Sequence, residues 1–283
     1  MKKIVLCCML SLTFMVCPVT AEETKDAASV TEQTDAGENL MSGVQALLDE
    51  DKYEEAIPLL QKAADMGDAE AQAELGGCYD KGKGVEQDNE KALKYFRLAA
   101  EQGNPKGLYG LGLLYDMGRG IEQNYEEAVK YYQLAADQGL ADAQCNLGVC
   151  YNDGRGVDQD YGMARKYYEL AADQGDAIAQ YNLGTYYFFG FGVDQDYSEA
   201  LRLFRLAAEQ GYANGIFAVG ECYYLGTGVD KDPETAAEWY QKALDAGFEP
   251  RDEEEAEHLK ELIPDRDSVV TEGSVTEAED PTA

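Results

Sequence analysis

Few residues in this chain could carry out covalent chemistry, and their spacing argues against it. There is one histidine, His258, in a stretch crowded with Glu and Lys, so a two-histidine metal motif is excluded. Neither Ser-x-x-Lys, which sets an acylating serine beside its base, nor Gly-x-Ser-x-Gly, which exposes a serine on a sharp strand-to-helix turn, occurs. Gly-x-Gly recurs in register at Gly82-Lys83-Gly84, Gly118-Arg119-Gly120, Gly154-Arg155-Gly156, Gly190-Phe191-Gly192 and Gly226-Thr227-Gly228. Such loops can cradle phosphate, but these follow helix patterns and lack a Lys-Ser/Thr tail, which marks them as turns. With 55 Asp and Glu against 23 Lys and Arg, paired carboxylates arise at any spacing by chance. The reading is no catalytic residue, no metal ligand set and no cofactor.

The thiols point the same way. Cys7, Cys8 and Cys17 lie in an N-terminal apolar run, leaving Cys78, Cys145, Cys150 and Cys222. Cys78, Cys150 and Cys222 occupy one column of a repeating unit, two units apart. At about 10 Å per helix layer that is too far for a disulfide. Cys145 and Cys150, five residues apart, face different sides of one helix. Four buried thiols acting as small core residues are expected.

What holds these residues is a unit 36 residues long, marked by Gly67, Gly103, Gly139, Gly175, Gly211 and Gly247. Leu75, Leu111, Leu147, Leu183 and Val219 form one column, each followed by glycine. Tyr79, Tyr115, Tyr151, Tyr187 and Tyr223 form another, and each unit closes on an aromatic-rich stretch ending in Ala-Ala or, last, Ala243-Leu244. From about Ala69 to Asp80 the apolar residues recur at three and four, the helical period, and Gly82 and Gly84 then break the helix. Asp88, Asn124, Asp160, Asp196 and Asp232 stand as N-caps of a second helix, with Glu127 and Glu199 at the capping-box position and Pro233 at the first helical position. The 36-period glycine stops that helix. Glycine inside the first helix costs roughly 1 kcal/mol relative to alanine. Five such positions imply close contact there, and small alanines of the second helix are expected to make it.

This pattern, Ala-x-Ala-x-x-Leu-Gly-x-x-Tyr, Gly-x-Gly-Val, Asp, Ala, an aromatic pair and Ala-Ala-x-x-Gly, resembles the Sel1-like repeat, a relative of the tetratricopeptide repeat with a longer loop between its helices. The resemblance covers residues 69–248 in five copies. Residues 38–68 are similar to an ordinary tetratricopeptide hairpin through Tyr53, Ala56, Ala63 and Ala64, without the Gly-x-Gly loop, and read as the N-terminal cap. Residues 249–263 read as a polar capping helix. The resemblance implies an all-α fold, a right-handed superhelical α-solenoid of stacked antiparallel helix pairs, serving as a non-catalytic scaffold that binds a protein or peptide. A cysteine-rich branch of that family, with a disulfide in each repeat and an attributed β-lactam-directed or cell-wall activity, is the alternative, and the cysteine columns fit it poorly.

The ends differ from the frame. Lys2 and Lys3, the apolar run from Ile4 to Cys17 and Val19-Thr20-Ala21 satisfy the description of a secretory signal peptide over residues 1–21. Export to the periplasm or beyond is therefore expected. Val16 before Cys17 suits lipid anchoring poorly. Residues 22–37 and 264–283, rich in Thr, Ser, Ala, Glu and Asp, read as disordered. Without the signal the balance is 21 basic to 55 acidic residues, a net charge of −34. Nucleic-acid binding is excluded, since phosphate recognition needs a basic footprint, and membrane insertion of the mature chain is not expected. The chain reads as monomeric.

Binding residues should lie where units differ. Phe188, Phe189 and Phe191 in the fourth loop, with Tyr224 and Leu225 in the fifth, replace polar residues of earlier loops and could form one apolar patch. They could equally pack beneath the C-terminal helix or between repeats. A second candidate is the first-helix face, expected to be concave, where Gln144, Asn146, Gln180 and Asn182 recur with Tyr181 beside them. Amides there could hold a peptide backbone, or could bond within the repeat.

Overall fold

Most helices in this chain begin where the sequence supplies a side-chain acceptor and end shortly before a glycine. The computed structural model describes residues 40–263, so the signal peptide (1–21) and the two tails (22–37 and 264–283) lie outside the described residues. Thirteen helices follow in order: α1 (40–49), α2 (Tyr53–Asp65), α3 (Ala69–Lys81), α4 (Asn89–Glu101), α5 (Pro105–Met117), α6 (Tyr125–Ala136), α7 (Ala141–Asp153), α8 (Tyr161–Asp173), α9 (Ala177–Phe189), α10 (Tyr197–Glu209), α11 (Ala213–Leu225), α12 (Pro233–Asp245) and α13 (Glu253–Leu262). They stack as adjacent hairpins from α1–α2 to α11–α12, with α13 laid on the end. The fold of the described residues is all-α.

The caps are those the spacing predicts. Asp88 accepts from the Lys91 N–H at 3.0 Å, Asn124 from Glu127 at 3.1 Å and Asp160 from Met163 at 3.0 Å. The reciprocal capping-box contact does not follow: the Glu127 carboxylate turns to Lys130 and that of Glu199 to Arg202, one helical turn on. At the far end of α4, the Gly103 N–H reaches Ala100 O and the Asn104 N–H reaches Ala99 O, a Schellman closure. Gly103 has φ +77°, and a Cβ there would touch nothing, so its backbone conformation alone requires glycine.

Glycines inside the first helices have a different cause, and it corrects the expectation of an alanine contact. A Cβ on Gly148 would lie 2.7 Å from Cδ1 and Cε1 of Tyr168, and on Gly112 2.5 Å from the same atoms of Tyr132. Phe96, Phe204 and Tyr240 stand likewise over Gly76, Gly184 and Gly220. A ring of the second helix lies flat on the first, and only glycine leaves room for it. Alanines flank these rings; Ala92 and Ala99 are fully buried. The gain is burial of a whole aromatic side chain in each hairpin, which offsets the weaker helix propensity.

The core runs along the stack as a chain of clusters, with Leu75, Leu114, Tyr132, Leu147, Val219 and Tyr240 fully buried. A second tier of rings, Tyr79 on Tyr95, Tyr115 on Tyr131 and Tyr151 on Tyr167, stacks at 5.6–5.9 Å. At the C-terminal end Leu259 of α13 seals Ala236 and Tyr240. Among the described residues no helix is long and apolar enough to cross a membrane.

All four cysteines of the described region are buried and free. Burial pushes the thiols of Cys78, Cys150 and Cys222 up to about 11, and burial together with Asp176 raises that of Cys145. Thiolate is the reactive form, so iodoacetamide at pH 8 is expected to leave these four residues unmodified in the native protein. All four should be alkylated in guanidinium; peptide mass mapping checks this, and rapid native labelling of any of them would contradict the packing.

Candidate functional site

Between one repeat and the next, the loops alternate acid with base. Arg119 Nη1 lies 3.0 Å from Asp80 Oδ1 of the preceding repeat, and Arg155 Nη1 lies 3.5 Å from Asp116 Oδ1. The same loop position also covers a ring at the start of the preceding second helix: Lys83 over Tyr53 at 4.6 Å and Arg155 over Tyr125 at 6.0 Å. At the fourth loop Asn152 stands in the acid's place and accepts from the Tyr186 hydroxyl at 2.6 Å, and Phe191 stands in the base's place. Phe191 stacks on Tyr161 at 5.7 Å and 17°. It replaces a cation over a ring by a ring over a ring and belongs to the frame between repeats, although 41% exposed.

The glutamines are likewise committed. Gln144 and Gln180 are buried. Their Nε2 groups donate to Ala136 O and Ala172 O, while their Oε1 atoms accept from Gln174 and Gln210. Gln72 and Gln102 repeat the arrangement. These side chains join the end of one second helix to the next hairpin, so for Gln144 and Gln180 the second of the two sequence readings, bonding within the frame, describes the bonds they make. Asn146 donates to the Tyr109 hydroxyl at 3.2 Å, and Asn182 is half-buried on the same helix face one repeat later.

What remains comes together at the C-terminal end. Tyr181, Phe188 and Phe189 on α9, with Phe217, Glu221 and Leu225 on α11, face the segment Phe248–Arg251 and Glu255 of α13 across a groove of about 550 Å³. Phe217 and Phe248 stack with centroids 4.1 Å apart. Phe188 leans on Phe204 and Phe189, and Tyr181 on Phe204 and Tyr212. Phe189 is 59% exposed and Leu225 50%. Of the five residues expected in one patch, Phe188, Phe189 and Leu225 share this groove. Phe191 does not line the groove but stacks on both Tyr161 and the groove-lip ring Phe189, the latter at 5.5 Å, and Tyr224 lies in a neighbouring cleft of about 500 Å³ with Lys231 5.2 Å above its ring.

The groove carries charge as well as rings. Arg251 bonds Glu255 through Nη2 at 2.7 Å and holds its carboxyl below the usual carboxylate range. Glu221 accepts from the buried Tyr240 hydroxyl, whose pKa is raised by burial and by that carboxylate. Sequence reasoning missed Phe217, Phe248, Arg251 and Glu255. Phe217 was findable, since it shares a column with Tyr181. Phe248 follows Gly247 at the position where Asp68, Asn104 and Asp176 cap a helix, but Leu140 and Tyr212 in the same column make no side-chain cap, so the column also admits a large apolar side chain.

Comparison with known proteins agrees with this frame. The Sel1 repeat model matches residues 37–68, 69–104, 105–140, 141–176, 177–212 and 213–248. The first match lies on the segment read from the sequence as a plain tetratricopeptide hairpin; there a short turn through Asp51, φ +56°, stands in place of the Gly-x-Gly loop. A comparison with curated proteins gives no match. Among solved structures, a protective antigen of uropathogenic Escherichia coli with an SLR fold is 40% identical with a TM-score of 0.64, over 73% of this chain and 43% of its own. This chain thus spans less than half the length of that antigen. A Sel1 repeat protein from Oxalobacter formigenes is 34% identical with a TM-score of 0.62, over 73% of this chain and 85% of its own. An immunity protein from Pseudomonas aeruginosa, 23% identical with a TM-score of 0.51 over 72% of this chain and 82% of its own, shares the fold. Six consecutive matches to one repeat model, on a stack of helix pairs like those of its solved relatives, mean that this chain belongs to the Sel1 repeat family.

Proposed function

We propose that this protein is a non-catalytic interaction scaffold whose partner, a protein or peptide, seats in the groove between α9, α11 and the Phe248–Glu255 segment. The observation that carries this reading is the exposure of Phe189 and Leu225 at the lip of a ring-lined depression. Large apolar groups held at a concave rim lose water only when a partner covers them. Proteins built from Sel1 repeats generally serve as interaction scaffolds, which supports the same reading. The apolar run at residues 1–21 supports export, so the partner is sought in the cell envelope or outside the cell.

The test is capture of partners from an envelope extract by wild-type protein and by two variants. Phe189→Ser with Leu225→Ser is expected to lose the captured species with only a small fall in the melting transition, since both side chains are at least half exposed and Phe189 gives up only its contacts with Phe188 and Phe191. Phe191→Ser is expected to weaken capture less and to lose some stability, since that ring stacks on Tyr161 between repeats and only supports Phe189 from behind the lip. Capture that survives the first variant and fails in the second would reject the groove. Nitrocefin should be left intact by the purified protein, and its hydrolysis would restore the β-lactam-directed alternative.

A further inference from the structure

The groove's charges say what kind of peptide it fits, granted the groove reading above. Its one cation, Arg251, is paired with Glu255. Glu221 and Glu249 also line it, and among the described residues neither has a cationic partner. The lining therefore holds rings and an excess of two carboxylates, on a protein of net charge −32. A carboxylate at the edge of an apolar groove is poor company for a neutral ligand, which would cover it without replacing its water. A cation relieves that: it meets the carboxylate while its aliphatic stem lies along the rings. The chain already sets cations over rings elsewhere, with the Lys242 ammonium 4.7 Å from the Trp239 ring centre and that of Lys83 over Tyr53. We propose that the groove binds an extended peptide segment carrying Lys or Arg beside a large apolar residue, the apolar side chain between Phe189 and the Phe217–Phe248 pair and the cation toward Glu249 and Glu221.

Three dye-labelled octapeptides test this, each with a central Leu-Phe pair flanked by lysines, by serines or by glutamates, measured by fluorescence anisotropy against the purified protein. The lysine peptide is expected to bind roughly tenfold tighter than the serine peptide, the scale of two partly screened charge pairs, and the glutamate peptide not at all. About 0.5 M salt should erase most of the difference between lysine and serine. Glu249→Lys should reverse the preference, and Phe189→Ser should abolish binding of both. Equal, Phe189-dependent binding of lysine and serine peptides overturns the charge inference and leaves the groove standing. Lysine-peptide binding that survives Phe189→Ser overturns the placement, since the general field of the protein then suffices. No binding by any of the three overturns this inference, while the capture experiment separately decides the groove.

Discussion

Gly148→Leu is expected to lower the melting temperature of this protein by ~10 °C, the equivalent of about 3 kcal/mol or more of overpacking. The added side chain must begin 2.7 Å from two ring carbons of Tyr168, which is itself buried and has Ala164 and Ala171 packed around it. Neither the ring nor the helix can give way alone. A neighbouring pair of glycines isolates the cause. At Gly76 a Cβ would meet the Phe96 ring at 2.8 Å, whereas at Gly77, one residue on in the same helix, it would meet nothing within 4 Å. Gly76→Ala is expected to destabilise by ~1–3 kcal/mol, and Gly77→Ala to stabilise by about 1 kcal/mol through helix propensity alone. Guanidinium melts of the two single variants check this. Two shifts of the same sign would refute the ring-on-glycine packing.

The second large effect is expected at the ion pair between repeats. Asp80 is only 3% exposed, and Arg119 reaches it from the next loop. Arg119→Met leaves a buried carboxylate without its partner, a loss of about 3–5 kcal/mol. Asp80→Leu in the same chain should return most of it, because the isolated charge and not the missing attraction is the larger penalty. The chain also contains its own replacement for such a pair. Transferring Asn152 and Phe191 to the interface before it, as Asp116→Asn with Arg155→Phe, would set the new ring on Tyr125 as Phe191 sits on Tyr161. That double variant should be more stable than Arg155→Phe alone; additive losses would deny the coupling.

How far the sequence could be read depended on the range of each interaction. Asp88, Asn124, Gly82 and Gly103 act within a few residues of themselves, so the helices, their caps and the repeat were legible from type and spacing. The glycine columns announced close contact, but the contacting group lies about twenty residues on, where an apolar stripe offers rings and alanines alike. Phe191 was harder. Its change from Arg makes sense only beside Asn152, 39 residues earlier, and alone it could be read either as part of a partner patch or as packing between repeats. Gln144 and Gln180 matched a peptide-binding face by type, yet their partners Gln174 and Gln210 repeat in step with them, a pairing visible in the columns. The groove was only half legible, because Phe248 is the last residue of the last repeat and Arg251 and Glu255 lie past it, where periodicity says nothing.

That position at the end of the stack separates two properties of the molecule. The groove is built from α9, α11 and the segment running into α13, so it belongs to the last two hairpins and their seal. Hairpins nearer the N-terminus touch mainly their immediate neighbours. Duplication or loss of a 36-residue block among them would lengthen or shorten the arm that carries the groove and leave its lining untouched. Reach and recognition can thus diverge independently in descendants of this gene.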